Sequence, residues 1–120
     1  MRRLLLLLAA LTVLTASGCN RGATVRAPDA TVRLALSDYR ITPQRVRVRP
    51  GRVSFVVRND GHGVHNLQLK RRGRVRVTVP ALHPGQSRTV TARLTHGTYR
   101  MYCSLSHHEV LGEYGTVSVR

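Results

Sequence analysis

The chain has 120 residues, with 20 Lys or Arg against five Asp or Glu and a formal charge of +15. That length supports one domain with one modest core. Five acids leave no evident carboxylate pair for acid–base catalysis, no serine–histidine–carboxylate set can be placed, and with one Phe, four Tyr and no Trp there are few rings for bases to stack on, so neither an enzyme nor a nucleic-acid binder is expected.

The first residues read as an export signal. Arg2 and Arg3 form a short basic region, and the apolar run 4–14 is broken only by Thr12. It is shorter than the roughly 20 apolar residues of a membrane-spanning helix. Thr15-Ala16-Ser17-Gly18-Cys19 follows. Small residues just before a cysteine resemble the lipobox of bacterial lipoproteins, which implies cleavage after Gly18 and a lipid on Cys19. Ala16 departs from that pattern, because a leucine is more usual there. Ala16 and Gly18 also suit an ordinary signal peptidase, so cleavage without lipid stays open, and the paired arginines leave the twin-arginine route open beside the general one. The expected division is 1–18 as signal peptide, 19–30 as lipidated tether and 31–120 as the folded domain, on a membrane-anchored protein facing the periplasm or cell exterior. From Asn20 to Asp29 no periodicity is present, and an extended tether of that length reaches roughly 30 Å at about 3.3 Å per residue.

From Ala30 onward the pattern is β. Strands are expected at 31–36, 45–49, 52–58, 65–70, 74–79, 87–94, 98–103 and 116–120, rich in Val and Thr. Pro50-Gly51, Asn59-Asp60-Gly61, Arg72-Gly73, Pro84-Gly85 and His96-Gly97 punctuate them. Eight short strands at this spacing predict an all-β sandwich or barrel. Arg45, Arg47 and Arg49 alternate with Val46 and Val48, and Arg74 and Arg76 with Val75 and Val77, which sets the arginines on a solvated sheet face. Without Arg2 and Arg3 the formal charge falls by two and stays strongly positive. Such a surface fits an anionic membrane, a cell-wall polymer or an acidic redox partner. A monomer is expected.

The chemistry gathers near the end of the chain. Cys103 closes one expected strand, His108 follows five residues later and Glu113 five after that, with His65 far upstream at the start of another strand. If Cys19 carries lipid, Cys103 is left as a single thiol outside the cytoplasm, exposed to oxidation unless something holds it. A Cys19–Cys103 disulfide and an inert buried thiol are the alternatives. A thiolate with two imidazoles is the ligand set of a trigonal copper site. His107 competes with His108 on spacing, and His62, three residues before His65, is a further candidate. His83 and His96 precede turns and read as loop residues, Tyr99 and Tyr102 as packing residues, and Asp38 and Tyr39 as shapers of the first turn.

These residues resemble a known family. Asp38-Tyr-Arg-Ile-Thr-Pro43, Val46-Arg-Val-Arg-Pro-Gly51-Arg-Val53-Ser-Phe55 and Asn59-Asp-Gly-His-Gly-Val-His65-Asn66-Leu are similar to a plastocyanin- or azurin-type cupredoxin. So is the tail from Gly97-Thr-Tyr99 through Cys103-Ser and His108 to Gly112-Glu113-Tyr-Gly115-Thr. The resemblance covers residues 31–120. It implies a Greek-key β-sandwich of about eight strands, one copper ion cycling between Cu(I) and Cu(II), and His65, Cys103 and His108 as equatorial ligands. It also implies that Asn66 ties its strand to the ligand loop through Ser104, with its amide near the sulfur, and that electrons pass through the His108 edge. The departure is at the weak axial position, where the family usually has methionine and this chain has Glu113. Met101 cannot replace it, because it lies on the strand two residues before Cys103. An axial carboxylate favours Cu(II) and predicts a lowered reduction potential that varies with pH. A solvated loop carboxylate is the alternative for Glu113. Beside a one-electron carrier stand two other readings, a copper storage or delivery protein with an exchangeable site and a metal-free immunoglobulin-like envelope or adhesion module.

Overall fold

The computed structural model describes residues 22–120. The readings of residues 1–18 as signal peptide and of Cys19 as lipid carrier lie outside the described residues. Ten strands are present: β1 (Val25–Ala27), β2 (Thr31–Ser37), β3 (Arg40–Thr42), β4 (Arg45–Val48), β5 (Gly51–Asn59), β6 (His65–Arg71), β7 (Arg74–Leu82), β8 (Ser87–Leu94), β9 (Gly97–Tyr102) and β10 (Tyr114–Val119). Among the described residues there is no helix.

The strands form two mixed sheets, one ordered β1-β4-β10-β9-β6-β7 and the other β3-β2-β5-β8. The expected all-β sandwich is therefore present. Alternation explains most of the assignments. In β4 the pattern is exposed, buried, exposed, buried over Arg45–Val48, so the arginines face water as predicted. Val32, Leu34 and Leu36 of β2 and Val53, Phe55 and Val57 of β5 point into one core with Leu67, Leu69, Met101 and Val117 of the other sheet. Met101 is wholly buried there.

Two strands were not expected. Arg40–Thr42 pairs antiparallel with the end of β2. Val25–Ala27, read from the sequence as tether, pairs in parallel with β4 through Val25 and Val46, Arg26 and Arg47, and Ala27 and Val48. The folded domain thus begins before residue 30. Because β10 also runs parallel to β4, β1 starts at the end of the sheet where β10 starts. Arg45 Nη1 donates to the Gly22 carbonyl there, at 3.3 Å. Gly22 and Ala23 share a groove with Tyr39, Leu111 and Tyr114.

The β7 edge departs from simple alternation. Val75 is 47% exposed although its neighbours suggested burial. The β6–β7 register shifts between Leu69 and Lys70, so Leu69 faces Val77 and Lys70 faces Val75. That irregularity turns Val75 outward. Pro80 is accommodated because β7 is an edge strand.

Candidate metal centre

Three chain segments meet at one end of the sandwich. The first is the start of β6. His65, Asn66 and Leu67 are all buried in succession, which a regular strand does not allow. The register with β7 shifts between His65 and Leu67, and the bulge re-aims one side chain so that both His65 and Asn66 point inward. The turn leading into β6 is held by Asn59, which is fully buried. Asn59 Nδ2 donates to the Gly63 carbonyl at 2.8 Å and to the Leu82 carbonyl at 2.7 Å, while its Oδ1 accepts from the Gly61 amide at 2.9 Å.

The second and third segments are the ends of β9 and β10. Tyr102 and Tyr114 are register partners, and the Cys103 amide donates to the Glu113 carbonyl at 3.1 Å, extending the ladder by one step. Cys103 and Glu113 are therefore opposite one another at the mouth of a closed loop. Within the loop the His108 amide donates to the Leu105 carbonyl at 2.9 Å, the Gly112 amide to the Glu109 carbonyl at 3.1 Å and the Glu113 amide to the His108 carbonyl at 3.0 Å. Ser106 and His107 have positive φ, 38° and 61°. This local geometry turns His108 inward and leaves His107 exposed.

The result is a four-residue cluster. One ligand-capable atom from each of His65, Cys103, His108 and Glu113 lies within 4.8 Å of the others. Cys103 Sγ is 3.5 Å from His108 Nδ1. Glu113 Oε2 is 2.8 Å from His65 Nδ1 and 3.2 Å from His108 Nδ1. His65, Cys103 and Glu113 are 1%, 1% and 0% exposed. Cys103 is a free thiol. His62, His83, His96 and His107 lie outside the cluster and are exposed.

These groups are costly to bury as they stand. Burial pushes the Glu113 carboxyl above the usual carboxylate range, and the His65 imidazole beside it offsets this only in part. Burial likewise raises the Cys103 thiol, while the backbone amides of Asn66 and Leu105 at the sulfur pull the other way. Glu113 Oε1 is buried with no hydrogen-bond partner, alone in this among the described side chains. Leaving such an acceptor unpaired costs about 1–3 kcal/mol. A soft thiolate, two imidazole nitrogens and an unpartnered carboxylate oxygen converging on one point fit a transition-metal cation. Metal–ligand bonds of about 2.0–2.3 Å nearly span the separations already present.

Asn66 and Ser104 close the arrangement from behind. Asn66 Nδ2 donates to Ser104 Oγ and the Ser104 amide donates to Asn66 Oδ1, both at 2.8 Å. This reciprocal pair fastens the β6 end to the residue after Cys103. Asn66→Ala is expected to cost roughly 1–3 kcal/mol in urea unfolding and to speed metal loss to a chelator, because the two sides of the cluster are no longer joined. Unaltered stability and an unaltered loss rate would show that the clamp is dispensable.

One residue was underestimated. Asp38 was read as shaping a turn. Its Oδ1 lies 3.0 Å from His65 Nε2 and its Oδ2 lies 2.9 Å from His62 Nδ1, with the amides of His62 and Gly63 also donating to it. The His65 ring, then the His62 ring, hold the Asp38 carboxyl well below the usual carboxylate range. The only hint in the sequence was scarcity, since Asp38 is one of five acids in the chain.

Comparison with known proteins places this fold. The protein is similar in structure to a dithionite-reduced auracyanin from Roseiflexus castenholzii, with a TM-score of 0.71 and 18% identity over 78% of this chain and 99% of that one. It is similar to a purple cupredoxin from Nitrosopumilus maritimus, with a TM-score of 0.59 and 22% identity over 74% and 99%. It is also similar to auracyanin A, a "blue" copper protein from Chloroflexus aurantiacus, with a TM-score of 0.66 and 16% identity over 82% and 100%. No curated protein sequence matches the chain. At these identities the structures speak for the fold. The family model described as a cupredoxin-like domain matches residues 4–113, most of the chain, and the protein therefore belongs to the cupredoxin-like domain family.

Proposed function

We propose that this protein is a copper-binding one-electron carrier, anchored outside the cytoplasm by a lipid on Cys19, with His65, Cys103, His108 and Glu113 holding the ion. The convergence of those four side chains within 4.8 Å carries the reading. When bound, copper supplies a Cu(I)/Cu(II) couple. The chain supplies the rest. Three strand ends of one sheet and a hydrogen-bonded loop hold the donors before metal arrives, so little has to move when the charge changes. Near-complete burial of three of the four side chains keeps water from the donor atoms. His108 is the member that reaches the surface, with its side chain 17% exposed. It packs edge-on against Tyr39, ring centroids 5.3 Å apart, and exposed Val110 and Leu111 follow it in the loop. A redox partner approaches at that apolar rim, and the charge, still strongly positive once Arg2 and Arg3 are removed, favours an acidic one.

Copper titration followed by absorption and electron paramagnetic resonance tests this. One ion per chain, an intense visible band and a reversible one-electron response are expected. Colourless binding that is freely surrendered to chelators would favour storage or delivery instead, and no binding at all would overturn the reading.

A further inference from the structure

We propose that Asp38 is a positioning residue that keeps the His65 ring proton on Nε2, so that Nδ1, which faces the donor cluster, is free to bind a metal. The role in copper binding rests on the function proposed above, while the effect on the free imidazole does not.

His65 is flanked by two carboxylates. Glu113 Oε2 is 2.8 Å from Nδ1 on the inner side and Asp38 Oδ1 is 3.0 Å from Nε2 on the outer side. A neutral imidazole carries one proton, and it can serve as a metal ligand only through the nitrogen without it. If the proton were on Nδ1 and bonded to Glu113, the atom aimed at the cluster would be blocked. With the proton on Nε2 and donated to Asp38, the Nδ1 lone pair stays free. The two acceptors therefore compete for one proton, and the ligand works only when Asp38 wins.

Asp38 is built to win. Two amides, those of His62 and Gly63, donate to it, and Nδ1 of the exposed His62 ring lies against its second oxygen. These partners fix the carboxylate as a charged acceptor. Glu113, by contrast, has its Oε2 shared between two imidazoles and its Oε1 unpartnered. The contact between Asp38 and His65 also explains Gly61. A Cβ there would lie 2.7 Å from Asp38 Oδ1 and 2.9 Å from His65 Nε2, within the bond itself. Asp38 thus sits 27 residues before His65 in sequence and would act on a bound metal through the His65 ring.

The first readout needs no metal. Long-range proton–nitrogen NMR of the metal-free full chain should show the His65 proton on Nε2. In Asp38→Ala it should move toward Nδ1, where Glu113 takes it. In Asp38→Asn it should remain on Nε2, because the amide oxygen accepts the same bond. The second readout is affinity for Cu(II) in competition with a chelator. Loss of an outer partner of this kind is expected to weaken binding about ten- to a hundredfold in Asp38→Ala, with a smaller loss in Asp38→Asn. A wild-type ring already protonated on Nδ1 overturns the proposal, as does an Asp38→Ala protein with wild-type tautomer and affinity. Should Asp38→Ala not fold, the wild-type and Asp38→Asn spectra decide alone. Should the wild type take no copper, the proposed function fails while the tautomer result still stands or falls by itself.

Discussion

Cys103→Ser is expected to fold normally, to lose the visible copper band entirely and to bind Cu(II) at least a hundredfold more weakly. The sulfur is the soft donor of the set. Replacing an outer partner of a ligand costs about ten- to a hundredfold in affinity, and removing the ligand itself should exceed that. Folding should survive for a local reason. The bond that fixes position 103 is made by its backbone amide to the Glu113 carbonyl, and serine retains it. A hydroxyl is also smaller than the thiol, so it enters without a clash a site that is 1% exposed. Urea unfolding should agree with the wild type within about 1 kcal/mol. A wild-type spectrum from the serine variant would mean that the metal is held elsewhere and would remove the basis of the proposed function.

Glu113→Met should raise the reduction potential by on the order of 100 mV, since about 60 mV corresponds to a tenfold change in the relative affinity for the two oxidation states. A carboxylate is a hard, anionic donor and stabilises Cu(II), whereas a thioether is soft and tolerates Cu(I). The position is buried and aimed at the cluster, with one oxygen against both imidazoles. The substitution also removes a carboxyl that is costly to bury, with Oε1 unpartnered, so the metal-free protein should lose little or no stability. Voltammetry on both proteins checks the first expectation, and thermal unfolding without copper checks the second. An unchanged potential would place Glu113 outside the coordination sphere.

The β-sandwich was legible because valine alternation and turn residues occur together along most of the chain. β1 and β3 were not, for a physical reason. Each has three residues, too few to show a period, and each gains its order from pairing with a distant strand, Val25–Ala27 with β4 and Arg40–Thr42 with β2. The cluster was legible at Cys103 and His65 because both terminate strands. The choice between His107 and His108 was not, since spacing permits either. Backbone turns at Ser106 and His107 with positive φ bring His108 inward and leave His107 in solvent. The Asp38–His65 contact was invisible for another reason. It joins residues 27 positions apart through a loop whose geometry depends on Asn59 and Gly61, and neither composition nor period encodes such an approach.

The parallel alignment of β1 with β4 and β10 has a topographic outcome. Gly22 lies beside Tyr39, Leu111 and Tyr114, so the polypeptide leaves the domain at the rim around His108 and not at the opposite pole. Cys19 precedes Gly22 by three positions, which at about 3.3 Å each is a leash of no more than roughly 10 Å. Under the lipidation proposed for Cys19, the point of attachment and the rim around His108 lie on the same side of the domain.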